Sequence, residues 1–352
     1  MGKSYLKKSC LALSVSALAL VLSFAAPVAQ AAEKAPVALI IAQGGLGDQS
    51  YNDLADKGFK KALAETKLEG KEVESKDVVA QGENMLRRAA DGGFGLIVDL
   101  EYSHGDAIKT VAKDYPKVDF SILNLVEPGA NIASVLFKEQ EGSYLAGALA
   151  AMVASDPKIK GIGPKPIIGV IGGTKSAGID KFIAGYIQGA HDIDPKVEVK
   201  VAYSNNFGDP AIGHQMAKAM FDEGASIVYQ VAGGTGIGVI QAAKETGHYA
   251  IGVDTDQDAL AKGHVLTSMI KRTDLAVETV IKDYAADKFP GGQTVTLGLK
   301  EDGVGLSPMT YTKDLIPAAD LAKIDDLKKK IIAGEIKVWD VTTQGYPSWW
   351  KQ

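Results

Sequence analysis

Short runs rich in valine and isoleucine alternate along this chain with stretches at helical spacing, and that alternation limits the fold more than any other feature. The strand candidates are VALII, EVESKDVV, GLIVDL and DFSILN, then IASVLF, IIGVIGG, VEVKVAY and SIVYQVA, and finally AIGVD, VLTSMI and TVTLGL. Most are separated by roughly ten to sixteen residues with an apolar stripe. In YNDLADKGFKKAL the stripe is Tyr51, Leu54, Ala55, Gly58, Phe59, Ala62 and Leu63. Strand, helix, strand, helix predicts an α/β fold, a parallel sheet with helices on both faces.

The pattern also starts twice. APVALIIAQGGLGDQSYNDLADKGFKKAL is echoed by KPIIGVIGGTKSAGIDKFIAGYIQGA: a proline-led strand, a glycine turn, then a helix. Between them, Ala154 to Pro166 (ASDPKIKGIGPKP) has the composition of a connector, and the small-residue run EGSYLAGALAAMVA suits a close-packed helix between lobes. Two doubly wound, Rossmann-like lobes joined by a hinge are expected. Lobe 1 takes residues 33–140 and about 270–305, and lobe 2 residues 141–265. The segment 306–352 is grouped with lobe 2, although nothing in its pattern ties it to either. It reads as a lysine-rich helix ending near Gly334, a short strand, and a tail packed by Trp349 or Trp350. Strand ends would face each other across a cleft, where such sheets bind ligands.

The first 31 residues stand apart. Lys3, Lys7 and Lys8, the apolar run Leu11 to Ala26, and Ala29-Gln30-Ala31 together read as a cleaved secretory signal peptide. Cys10, the single cysteine, precedes most of the apolar run and does not make a lipid-anchor site. A periplasmic protein without a lipid anchor is expected, with no mature disulfide. Without the three leader lysines, 35 basic residues face 43 acidic ones, and no dense basic run occurs. That balance argues against nucleic-acid binding.

Three loops carry the candidate chemistry. The first, GGLGDQSYND, resembles a phosphate cradle, but Gly45-x-Gly47-x-x closes on Ser50 where a third glycine is needed, and no Gly-Lys-Ser/Thr follows. Ser50-x-x-Asp53 reads as a capping box, which puts Tyr51 and Asn52 at the strand's end beside Asp48. An aromatic, an amide and a carboxylate suit a flat polar ring, one stacking and the others reading its edge. The alternative is a tight turn with a capped helix. The second loop, with Gly233, Gly234, Gly236 and Gly238, offers amides at a helix start, or serves only close packing. The third places Asp254 directly after a strand, suited to a ribose diol, with Asp256 and Gln257 capping the next short helix. Phe207 lies at a strand–helix turn, opposite Tyr51 if the lobes mirror each other, and Lys271 lies just past an interlobe strand. The five histidines are scattered with no metal-binding pair, and no Gly-x-Ser-x-Gly elbow occurs, so neither enzyme chemistry, a metal nor a cofactor is expected.

Taken in order, GGLGDQSYNDLADKGF, EGSYLAGALAA, GVIGG, VAGGTGIGVIQAAKE, GVDTDQ, VLTSMIK and GEIKVWD resemble the basic membrane protein family, from about Val37 to Asp340. These are substrate-binding receptors of ABC transporters with the type I periplasmic binding protein fold. The resemblance implies a monomeric receptor chain without a cofactor, a small-molecule ligand, and a permease with its ATPase as partner. Its characterised members include purine nucleoside receptors and a few that bind riboflavin. By the family pattern Asp48, Tyr51 and Asn52 belong to the base site, Phe207 is the other stacking face, and Asp254 and Lys271 serve the ribose. Two departures stand out: Tyr51 where Phe is common, and Asn124 where purine-nucleoside members tend to carry an aspartate. An amide both donates and accepts where a carboxylate only accepts. Asn124 therefore either reads a different ring edge or stands behind the pocket wall. The rival readings are a nucleoside-processing enzyme and a receptor feeding a membrane sensor.

Overall fold

The computed structural model describes residues 1–2 and 34–350. The expected leader and its cleavage site lie almost wholly outside them. From Lys34 onward the chain forms one unit built on two sheets. In chain order its first part comprises β1 (Val37–Ile40), α1 (Tyr51–Thr66), β2 (Gly70–Val73), α2 (Val78–Asp91), β3 (Leu96–Asp99), α3 (Gly105–Asp114), β4 (Asp119–Leu123), β5 (Ile132–Phe137) and α4 (Glu139–Ala154). Next come β6 (Ile167–Gly172), α5 (Ala177–Ile193), β7 (Glu198–Tyr203), α6 (Pro210–Asp222), β8 (Ile227–Val231), α7 (Thr235–Thr246), β9 (Tyr249–Asp254) and β10 (Val265–Lys271). The last elements are α8 (Thr273–Ala285), β11 (Thr294–Leu297), β12 (Val304–Leu306), α9 (Ala318–Ile332) and α10 (Val341–Gln344).

The sheets run β11-β5-β4-β3-β1-β2 and β12-β10-β9-β8-β6-β7. Among the described residues only the β10–β12 pairing is antiparallel. The α/β, doubly wound expectation therefore holds for both sheets. Strands β1, β3, β6, β8 and β9 are buried along their whole length, as strands covered on both faces must be.

The chain passes between the sheets three times: at Lys138 after β5, at Arg272 after β10, and through 298–303 between β11 and β12. These passages are stitched together. Lys138 N donates to Leu297 O at 2.9 Å, and Arg272 N to Gly303 O at 2.9 Å.

Helix α4 is buried on nearly every side, and its main partner is α5. Small residues make that contact possible. A Cβ at Gly147 would collide with the Tyr186 backbone, one at Gly185 with Gln140, and one at Gly189 with Tyr144.

Two expectations about elements fail. EVESKDVV is not one strand: β2 stops at Val73 and Val78 opens α2. The intervening turn is held by Asp77 N donating to Ser75 Oγ at 3.1 Å. No strand follows α9 among the described residues either. That stretch is tied to α5, with Gln188 Nε2 donating to Lys337 O (3.2 Å) and Trp339 N to Gln188 Oε1 (2.8 Å). Asp340 then caps α10, and Trp350 packs against the core.

Candidate functional site

After β1 the chain turns through Gly44, Gly45 and Gly47 at φ +97°, +73° and +91°. The Asp48 carboxylate organises this turn. Its Oδ1 accepts from Ser50 N (2.9 Å) and Asp53 N (3.1 Å), and its Oδ2 from Asn52 N (2.9 Å) and Asn52 Nδ2 (3.1 Å). Asp48 thus caps α1, which corrects the Ser50–Asp53 box. Ser50 makes no capping bond, because its hydroxyl donates to Asp254 Oδ2 at 2.6 Å. Asp53 instead accepts from Gly47 N (2.7 Å) and Gln49 N (2.9 Å). Burial raises the Asp48 carboxyl above its usual range against the pull of the three amides. Asn52 is also committed to the turn: its Oδ1 accepts from Ala42 N (3.0 Å) and its Nδ2 donates to Gln43 O (3.2 Å).

A cavity of about 720 Å³ lies among the C-terminal strand ends of the two sheets. Asp48, Tyr51 and Asn124 reach it from the first, and Phe207, Gly233, Asp254 and Lys271 from the second. Asn52 and Gly234 are not on its wall.

Lys271 is the centre of its polar floor. Its ammonium donates to Asn124 Oδ1 at 2.7 Å and pairs with Glu139 Oε1 at 2.9 Å. Nζ also stands 5.1 Å from the Tyr51 ring centroid, 4.9 Å from Phe137 and 5.4 Å from Phe182, within cation–π range. Asn124, at φ +69°, donates Nδ2 to the Tyr51 hydroxyl at 2.8 Å, which donates onward to Leu100 O at 3.0 Å. The two residues that depart from the family pattern are therefore partners in one chain of hydrogen bonds.

Behind Lys271, Glu139 faces a second ammonium, Lys181 Nζ, 3.0 Å from its Oε2. Burial alone would push the Glu139 carboxyl up, but Lys271 and Lys181 outweigh it and hold the group below its usual range. Lys181 stands 3.7 Å from Asp340 Oδ2.

Asp254 closes β9 in a left-handed conformation, φ +66°. Ser50 occupies Oδ2, and no group among the described residues donates to Oδ1. Burial pushes its carboxyl up to about 6, with Lys271 and Ser50 pulling the other way. The bond from Ser50, together with Gln257 Nε2 donating to Gln49 O at 2.9 Å, ties the first sheet's opening loop to the second sheet.

Phe207 lies where that loop meets the second sheet. A Cβ at Gly44 would come within 2.9 Å of Phe207 O, and one at Gly173 would enter its ring. In the glycine loop before α7, Thr235 N donates to Phe207 O (3.3 Å), Gly236 N to Gly233 O (2.9 Å) and Ile237 N to Gly234 O (3.1 Å), while Gly233 lies on the cavity wall. Asp256 does cap the turn after β9, accepting from Asp258 N at 3.1 Å. Gln257 does not cap; its Oε1 accepts from Val253 N at 3.1 Å and Gln230 Nε2 at 2.8 Å.

Sequence reasoning misses Glu139, Gln140 and Lys181. Glu139 and Gln140 follow a strand end as Asp254 does, so the logic that singles out Asp254 would also find them; heading a small-residue helix hides them. Lys181 and the line of charge to Asp340 join residues too far apart for spacing to reveal. Among the described residues no group of three or more His, Cys, Asp and Glu side chains is placed to hold a metal ion, and no helix is long and apolar enough to cross a membrane.

The comparisons with known proteins agree with this architecture. A family model described as "ABC transporter substrate-binding protein PnrA-like" matches residues 35–342. The "ABC transporter nucleoside-binding protein BmpA" of Lactococcus lactis subsp. cremoris is 33% identical over 319 residues, 84% of this chain and 87% of its own. The "CD4+ T-cell-stimulating antigen" of Listeria innocua is 33% identical over 323 residues, 86% of this chain and 87% of its own. Among solved structures, an ABC transporter solute-binding protein from Aeropyrum pernix K1 superposes with a TM-score of 0.79 at 28% identity, covering 87% of this chain and 93% of that one. The family and its structural neighbour are solute-binding proteins, not enzymes. With two matching sheets around a walled cavity and a family match spanning nearly the whole described chain, the protein belongs to the Bmp family of ABC transporter substrate-binding proteins.

Proposed function

We propose that the protein is exported, binds a purine nucleoside, nucleobase or related flat heterocycle between its two lobes, and delivers it to a membrane permease. One observation carries the ligand class. A single cavity joins two aromatic side chains from different sheets, Tyr51 and Phe207, with an available carboxylate oxygen on Asp254 and the Lys271 ammonium. Rings suit a planar base, and a carboxylate beside an ammonium suits hydroxyls. The relative named as nucleoside-binding supports the same class. The proposed domains are two lobes that close about the three passages between the sheets, and the closed form is the one the permease meets. The working unit is a monomer in the periplasm.

The deciding experiment is calorimetric and thermal titration of the purified mature protein, stripped of carried-over ligand, with nucleosides, free bases and riboflavin. Stoichiometric binding with a raised melting temperature and no release of base is expected. Neither heat nor a melting shift from any of these compounds would overturn the ligand class. Release of base on incubation would overturn the receptor reading in favour of an enzyme.

A further inference from the structure

On the first sheet's part of the cavity wall, the carboxylate and amide oxygens of Asp48, Glu101 and Asn124 are engaged by the protein itself. Asp48 accepts four bonds within its own turn, and Asn124 Oδ1 accepts from Lys271. Glu101 is 1% exposed. Its Oε1 accepts from Ser103 N (3.1 Å) and Ser103 Oγ (2.7 Å), and its Oε2 from Gln43 N (3.1 Å). Gln43, half-buried on the same wall, differs. Its Nε2 stands 3.4 Å from each Glu101 oxygen. A carboxylate only accepts, so Glu101 settles which end of the amide carries the nitrogen and turns the carbonyl end away from itself. Gln43 Oε1 has no donor among the described residues, and it keeps accessible surface.

Two neighbours place this oxygen at the aromatic end of the cavity. Gly44, the next residue, packs on the Phe207 carbonyl. Leu100, the residue before Glu101, holds the Tyr51 hydroxyl through its own carbonyl at 3.0 Å. An acceptor left open beside both rings is completed by a donor on whatever lies between them. On a flat heterocycle that donor is a ring N–H or an amino group, lying in the ring plane.

We propose that Gln43 is a further ligand-binding residue whose oxygen accepts a hydrogen bond from an N–H of the ligand's ring, with Glu101 as its positioning residue. The inference rests on the heterocycle-receptor reading and narrows it. The ligand carries a lactam N–H or an amino group, and a ring stripped of that donor binds poorly.

The test is calorimetric titration with inosine against 1-methylinosine and adenosine against N6,N6-dimethyladenosine, on the wild type, Gln43→Met and Glu101→Gln. The wild type is expected to bind the N–H form of at least one pair about tenfold or more tighter than its methylated form. Part of that ratio is the bulk of the methyl group, which Gln43→Met leaves in place because methionine has nearly the same length. The variant should lower the ratio by about threefold or more, through the N–H form alone. In Glu101→Gln the Gln43 amide is free to turn either end outward, so the ratio should fall there too. A merely structural Glu101 would weaken both members of a pair alike, and that result overturns its positioning role. An unchanged ratio in a folded Gln43→Met overturns the proposal, as does a wild-type ratio near one for both pairs. Gln43→Ala, which also removes the oxygen, gives the same readout if Gln43→Met does not fold. If no heterocycle binds at all, the receptor reading fails and this inference with it; binding with an unchanged ratio removes this inference only.

Discussion

Asp254 shows most clearly how one residue is held at a cost to the fold. Its carboxyl is buried and pushed up to about 6, above the ordinary 3.8, mainly by desolvation. The folded protein therefore holds this proton more tightly than the unfolded chain does. Between about pH 4 and 6 stability contributed by this site falls as pH rises, and above 6 the full penalty remains. Asn is tolerated at a left-handed position nearly as well as Asp. Asp254→Asn should therefore melt higher than the wild type at pH 7, by up to about 2 kcal/mol, and lose the slope between pH 4 and 6. The same variant should bind nucleoside more weakly. Melting curves across pH, beside one titration, check both statements. Asp254 was legible in the sequence because a carboxylate at a strand end in an α/β fold meets the cleft. Asn124 was only half legible. Its departure from the family pattern showed in the sequence, but not that Tyr51 and Lys271 take up its amide nitrogen and oxygen.

At the scale of elements, periodicity revealed the alternation of strands and helices, because strands buried on both faces and helices with one apolar stripe leave distinct patterns. It failed at EVESKDVV, where a turn held by Ser75 Oγ ends the strand, and after α9, where the chain is tied to the α5 side chain Gln188. The α4–α5 seam was visible as a run of small residues, but the partner helix was not. Gly147 makes that seam testable. Its added Cβ has only the Tyr186 backbone to meet, and backbone cannot rotate aside as a side chain can. Gly147→Ala should destabilise by about 1–3 kcal/mol through overpacking, against a small effect for Gly178→Ala, whose Cβ would meet nothing within 4 Å. Denaturant midpoints of the two variants check the contrast.

For the whole molecule, the two sheets are joined on one flank by three passages of chain and on another by the contacts of Ser50 and Gln49 with Asp254 and Gln257. The second set can break without unfolding. Ser50→Ala removes one bond, worth about 1 kcal/mol, so the ratio of open to closed forms should rise about fivefold. Solution scattering without ligand should show a larger radius of gyration, reversed by saturating ligand. No sequence pattern announced this contact, since it joins residues about two hundred positions apart that meet only when the lobes come together.

The Lys271–Glu139 pair has a consequence of another kind. Lys271 ends β10, directly before the passage at Arg272, and Glu139 follows the passage at Lys138. In the proposed hinge closure, the ammonium on the cavity floor is thus also a rivet between two of the three passages that join the sheets. On that reading, a substitution there should alter how fast the cleft opens as well as how tightly it holds. Release times will shift along with affinity, and a transporter limited by unloading will register the change before any equilibrium titration does.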